Sequence, residues 1–303
     1  MSETFVIPAM GWLPDYPDIR DVTFQSERVP SKLQALGQPS VKQMLAKVGV
    51  TTSAPAALPA SVDLRPWCSP IEDQKTIGSC TAHAGVGLVE YFERRAFGKH
   101  LDASRLFLYK VTRNLLKWTG DTGAFLRSTM YALTLFGVPP EEYYPYNIAD
   151  FDKEPSAFCY AFAQSYQAIS YYRLDPPGTT PSNLLTQIKT YLANGLPSMF
   201  GFTVYSSISQ GNTTGKIPYP TRGERVEGGH AIDAVGYDDN LKIKNTNAGG
   251  IETTGALLIR NSWGTAWGSS GYGWLPYKYV LDGLATDWWS LIKSEWIDTG
   301  QFG

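Results

Sequence analysis

The sequence predicts an α+β protein of two lobes. Apolar residues recur at helical spacing as far as about residue 195, and from residue 197 onward the period changes to two. A third observation marks the centre of the molecule. In Gln74-Lys-Thr-Ile-Gly-Ser-Cys80-Thr-Ala-His a thiol stands where a loop turns into a helix. The 303 residues, 43% apolar and 18% charged, suffice for such a fold with a substantial core.

Residues 1–58 form a leader distinct from the domain at 59–303. Met10-Gly-Trp-Leu-Pro-Asp-Tyr-Pro-Asp18 is rich in turn formers and aromatics and reads as extended. Pro39–Val48 reads as a short helix with Val41, Met44, Leu45 and Val48 on one face. Residues 51–60 have linker composition. The leader has no core of its own, so it is expected to lie on the folded domain, where Phe5, Trp12 and Tyr16 would find cover.

The helical lobe is expected over about 75–195. Its first helix starts near Cys80, with Ser79 as a candidate N-cap and Ala82, Val86 and Val89 as a stripe. Further helices are expected over 104–118 and about 123–136, the latter ending at Gly137. Another has Thr180 as its cap and Pro181 at its first position. The β lobe, about 197–303, is expected to contain strands at 198–204, 230–237 and 256–261, the last two joined through Asn245–Gly250.

Several function classes are disfavoured. A formal net charge of -2 and the lack of any basic run argue against nucleic-acid binding. No apolar run is long enough to cross a membrane. The first residues carry no secretory signal, which reads as cytoplasmic, with leaderless secretion left open. Three cysteines make no disulfide framework, although Cys68 and Cys159 could pair. Cys80 with His83 is only a pair, so no metal and no cofactor are expected.

Cys80 by itself admits two readings. Unsatisfied N–H groups and the positive end of the helix favour a thiolate nucleophile, while a free cysteine is commonly a buried small apolar residue. Of the three histidines, His83 lies on a neighbouring face of the same helix and His100 in a loop. His230 opens a strand after Glu227-Gly-Gly229, and Asn261-Ser-Trp263 closes a later one, where an asparagine could meet an imidazole.

Gln74 with Cys80 in Gly-Ser-Cys, then Gly-His-Ala-Ile-Asp-Ala-Val-Gly-Tyr, then Ile-Arg-Asn-Ser-Trp-Gly-Thr-Ala-Trp-Gly, resembles the papain and cathepsin cysteine peptidases. His230 follows Cys80 by 150 residues and Asn261 follows by 31 more. The likeness runs from about Val62 to Trp289 and takes in Gly120-Asp-Thr-Gly123 and Tyr144-Pro-Tyr146. It implies a papain-like fold with the cleft between the lobes, in a member of bacterial type. It further implies an endopeptidase that works through a Cys80–His230 thiolate–imidazolium pair and a thioester. Asn261 would orient the imidazole under the cover of Trp263, and Gln74 would donate to the oxyanion. Gly123, Ala124 and Gly229 would line the peptide-binding cleft. Asp287 would lie near the base of the pocket for the second side chain before the cut, where an inward carboxylate would accept basic residues. The partners implied are a peptide or protein substrate and the chain's own leader as an intramolecular inhibitor of a monomeric zymogen.

Departures from the family pattern are visible as well. Ile77 and Asp121 stand where secreted members carry a disulfide, Thr81 replaces a tryptophan, Ala124 a glycine, and Gly229 an aspartate of some members. The competing readings are acyl transfer or peptide ligation through the same site, and a binding module on an inactive scaffold.

Overall fold

The computed structural model describes residues 9–29, 31–35, 37–50, 57–166 and 169–302. The helices are α1 Ser31–Ala35, α2 Val41–Lys47, α3 Cys80–Phe97, α4 Arg105–Leu115, α5 Leu126–Phe136, α6 Ala157–Ala163, α7 Pro181–Ala193, α8 Tyr277–Leu281 and α9 Ser294–Ile297. The strands are β1 Ser61–Asp63, β2 Ser170–Arg173, β3 Ser198–Tyr205, β4 Val226–Lys244, β5 Glu252–Arg260, β6 Tyr272–Pro276 and β7 Ala285–Ile292.

The strands form one antiparallel sheet in the order β2-β7-β3-β4-β5-β6, with β1 added to β4. Helix α3 crosses between this sheet and helices α4 and α5. It is therefore buried on every side from Cys80 to Phe92, rather than along the single stripe expected from its sequence. The C-terminus returns to the helical side, where Trp296 and Phe302 stack on Phe92 at 5.3 and 5.5 Å.

Local chemistry explains most helix starts. Ser40, Ser104 and Thr180 accept hydrogen bonds from the third helical N–H, and α7 begins on Pro181. Ser79 departs from this pattern and makes no capping bond. Its hydroxyl bonds the Tyr146 hydroxyl at 2.7 Å, a tertiary partner that overrides the local preference. The helical lobe ends before residue 195. β2 pairs with β7, and α7 packs on β4 and α8, so residues 170–193 belong with the sheet.

The leader lies on the body. Val41, Met44, Leu45 and Val48 are all buried in the core. Trp12 is 6% exposed but Tyr16 is 89% exposed, so only the first of these rings is covered. Phe5 lies outside the described residues. Cys68 and Cys159 are both free: Cys68 donates to the Leu64 carbonyl and Cys159 to that of Tyr143.

Candidate active site

Cys80 opens α3 after the turn Ile77–Ser79. The Gly78 N–H donates to Asp121 Oδ1 at 2.8 Å, and the Tyr109 hydroxyl donates to the same oxygen at 2.5 Å. That hydroxyl in turn accepts from Gly123 N–H at 3.1 Å. A carboxylate thus spans the gap between the Cys80 turn and the 120s loop, where secreted papain-like enzymes are expected to use a disulfide.

Gln74 is fixed from the other lobe. Its Oε1 accepts from the Ser262 hydroxyl at 2.7 Å, and its backbone N–H donates to the Ser262 carbonyl at 2.8 Å. This turns the side-chain amide so that Nε2 donates to the carbonyls of Ile77, at 3.0 Å, and Ala9, at 2.7 Å. Because Ser262 follows Asn261, one segment orients both groups.

His230 sits on β4 opposite Phe202 of β3 and is fully buried. Its Nε2–H donates to Asn261 Oδ1 at 2.8 Å. Trp263 stacks on the ring at 4.6 Å with planes 22° apart, and Trp267 backs Trp263 edge-on. Nδ1 has no hydrogen-bond partner among the described residues. The next residue, Ala231, directs its N–H at the Cys80 sulfur. His83 lies apart from this arrangement, bonded through Nδ1 to the Ser79 carbonyl at 3.1 Å.

Residues 9–13 run through the groove as an extended strand. Ala124 N–H donates to the Gly11 carbonyl at 2.8 Å, Leu13 N–H to the Ala124 carbonyl at 3.1 Å, and Trp12 N–H to the Gly229 carbonyl at 3.1 Å. Trp12 and Ala124 pair in parallel. A Cβ on Gly123 would meet the Gly11 oxygen at 2.3 Å, and one on Gly229 would meet the Trp12 oxygen at 2.6 Å. Both positions need glycine for this backbone approach.

The Trp12 indole fills the side pocket. A Cβ on Gly201 would lie 1.9 Å from its ring. Its Nε1–H donates to Asp287 Oδ2 at 3.1 Å. Asp287 is aimed there by a left-handed backbone, φ 61°, at a bulge in β7, and Asp175 holds that bulge through the N–H groups of Asp287 and Trp288. The other oxygen, Oδ1, accepts from Trp289 Nε1 at 2.7 Å and faces Arg173 Nη1 at 3.3 Å. Burial pushes this carboxyl up to about 6, against the pull of Arg173 and the two indoles. The carboxylate points inward, as the expected pocket requires, and shares Arg173 with Asp175, at 2.8 Å, and Asp21, at 3.5 Å.

Burial also dominates the central couple. It pushes the Cys80 thiol up to about 11, although the N–H groups of Ala231, Gly11 and Thr81 work in the opposite direction. It holds His230 down to about 4, with the Asn261 bond opposing. The low thiol pKa expected from the helix terminus is therefore absent while residues 9–13 cover the sulfur. Desolvation thus opposes the charged form of both groups while the sulfur is covered.

Sequence reasoning missed Arg127, Arg173, Gly201 and Ser262. The acidic spacing Asp15, Asp18, Asp21 in the leader was a usable signal for cationic partners. Arg127 meets the carboxylates of Asp15 and Asp21, and Arg173 lies 3.5 Å from Asp21.

Residues 58–282 match the family described as papain family cysteine protease. An uncharacterized peptidase C1-like protein of Acanthamoeba polyphaga mimivirus is 33% identical over 298 residues, 95% of this chain and 88% of that one. The solved structure of Xylellain, a cysteine protease from Xylella fastidiosa, superposes with a TM-score of 0.72 at 30% identity, covering 96% of this chain and 99% of that one. A digestive procathepsin L of Tenebrio molitor, at 22% identity and a TM-score of 0.58, covers 83% of this chain and 79% of its own and shares the fold. The chain belongs to the papain family and is a cysteine-type peptidase of papain-like fold.

Proposed function

We propose that the protein is a cysteine endopeptidase made as a self-blocked zymogen, with Cys80, His230, Asn261 and Gln74 as its working residues. The sulfur of Cys80 attacks the scissile carbonyl carbon, and the oxygen gathers charge opposite Gln74 Nε2 and the Cys80 N–H. Each such donor contributes about 3–4 kcal/mol in comparable sites. The imidazolium of His230 gives its proton to the leaving amine, and a thioester remains. Water then attacks that thioester with His230 as base, which restores the thiol and frees the acid. Asn261 keeps Nε2–H engaged, so that Nδ1 is the nitrogen left to face the sulfur.

The observation that carries this reading is a peptide already lying in the groove, with the Ala9 carbonyl 2.7 Å from Gln74 Nε2 beside the sulfur. A groove that pairs Gly11, Trp12 and Leu13 through Ala124 and Gly229 has the hydrogen-bonding edges that any extended peptide needs. The leader takes those edges first, which supports its role as an intramolecular inhibitor.

Labelling with an epoxysuccinyl inhibitor tests the assignment. Modification is expected on Cys80 alone, faster once the leader is removed, and strongly reduced by His230→Ala. Equal labelling of the Cys80→Ala chain would overturn the assignment.

A further inference from the structure

The leader consists of two parts with different attachments. Residues 9–15 lie in the groove and against Arg127. The chain is attached to the body at Asp21–Thr23 and again from Gln38 onward, while Ser31, Gln34 and Ala35 between these attachments are exposed. The Asp21 carboxylate accepts from Arg127 Nε at 2.7 Å, the Val22 carbonyl accepts from Arg173 N–H at 2.8 Å, and Thr23 pairs with Arg173 at the edge of the sheet. Helix α2, closed by a capping box at Ser40, then places Val41, Met44 and Leu45 in the core beside α9 and β2. Ser294 holds Gln38 at 2.6 Å and Lys47 pairs with Asp298 at 2.9 Å.

Between the two parts the side chains stand in solvent, Tyr16 89% and Ile19 97% exposed, while the Tyr16 carbonyl accepts from Arg127 Nη2 at 2.7 Å. The turn at Asp18–Asp21 is closed by bonds within itself: Asp18 N–H to Asp21 Oδ2, Arg20 N–H to Asp18 Oδ1, and Asp21 N–H to the Asp18 carbonyl. An exposed tip of this kind opens at little cost and is where chains are nicked.

We infer that Tyr16–Arg20 is the processing site, cut by a second copy of this enzyme, and that the segment from Asp21 to Val50 stays as a permanent part of the mature protein. One water is consumed, and the cut peptide bond becomes a carboxylate and a new amino terminus. The cut comes from another molecule because each chain's own Cys80 lies under its residues 9–13. Cutting there leaves the blocking peptide held without a covalent link. Its high effective concentration is lost, and it leaves on dilution. This inference rests on the reading of residues 9–13 as the block.

The test uses the full-length Cys80→Ala chain as substrate for a trace of active enzyme, with the new N-terminus mapped by mass. Chains beginning at Asp18 and at Pro59 are compared alongside. The expected results are a first cut within Tyr16–Arg20 and turnover by the Asp18 chain at least about tenfold above that of the intact protein. The Pro59 chain should melt lower by roughly 10 °C or more, since it loses a buried helix face. Amide exchange over residues 44–48 of the Asp18 chain should remain as slow as in α3. A first cut anywhere after Asp21, whether at 24–37 or at 51–58, or fast exchange at 44–48, would overturn the inference. An Asp18 chain no more active than the intact protein would instead refute the blocking reading itself.

Discussion

Trp12→Ala in the intact chain probes the closed state most directly. The indole is 6% exposed, so nearly its whole surface is withdrawn from water. Aromatic side chains bury about 150–250 Å² each, which at about 25 cal/mol per Å² corresponds to roughly 4–6 kcal/mol gross. Alanine retains part of this and the pocket relaxes in part, so a net loss of about 3–5 kcal/mol is the working figure. At 1.4 kcal/mol for each tenfold change, the open fraction should rise by about 10²-fold or more. The ceiling is the rate of a chain that begins at Asp18. The assay is the alkylation rate of Cys80, followed by mass, together with turnover of a fluorogenic peptide. Trp12→Phe separates the two components of the contact. It keeps a ring over Gly201 but leaves Asp287 Oδ2 without its donor, a loss of about 1–2 kcal/mol or roughly 5–30-fold. If Trp12→Ala is labelled no faster than the parent while the Asp18 chain reacts rapidly, the indole does not hold the groove shut.

Gln74→Ala in the Asp18 chain should lower kcat by about 10²–10³-fold with a smaller change in KM, because Nε2 serves charge that develops only during reaction. Asp121→Ala should lower the melting temperature by several degrees, as Gly78 N–H and the Tyr109 hydroxyl both lose their acceptor; a melting curve unchanged from the parent would show that the tether carries no weight. Acid should do little through the central couple. Burial shifts its two groups in opposite senses, Cys80 up to about 11 and His230 down to about 4, so opening to a thiolate–imidazolium pair moves one proton from sulfur to imidazole and takes none from solvent. Asp287, raised to about 6, keeps Arg173 and Trp289 in either state and adds little. The rate at which the intact chain opens, read from Cys80 labelling corrected by that of the Asp18 chain at the same pH, is therefore expected to change by less than about tenfold between pH 7 and pH 5, and a larger change would contradict this cancellation.

What could be read from the sequence was what local chemistry decides. α7 starts where Thr180 and Pro181 place it, and α2 buries the face its spacing marks out. β3, β4 and β5 cover the stretches expected as strands, although β3 and β5 are buried almost throughout and do not alternate. β7 was not legible because a left-handed Asp287 and a bulge break its run. β2 is only four residues long and depends on pairing with β7. At the site, Gln74, Cys80, His230 and Asn261 stood out because each belongs to a motif. Arg173 did not, because nothing near it in sequence indicates that it will sit 3.3 Å from Asp287. The capping bond predicted for Ser79 failed for a related reason, since Tyr146 reaches it from a distant loop.

The Ala9 carbonyl sits on Gln74 Nε2, where the oxygen of a scissile bond would be expected, and yet the closed chain is arranged to survive this. Two features of the closed chain account for that. The first is chemical. With residues 9–13 in place, burial pushes the Cys80 thiol up to about 11 and holds the His230 imidazole down to about 4, which disfavours the charged pair that the proposed reaction needs. The second is directional: Trp12 pairs with Ala124 in parallel, whereas a strand paired antiparallel at the same edge would present its carbonyls to the sulfur in the reverse order. On the proposed reading the covering segment therefore opposes cleavage in two ways, by burying Cys80 and His230 and by taking the binding edges in one polarity of the two available.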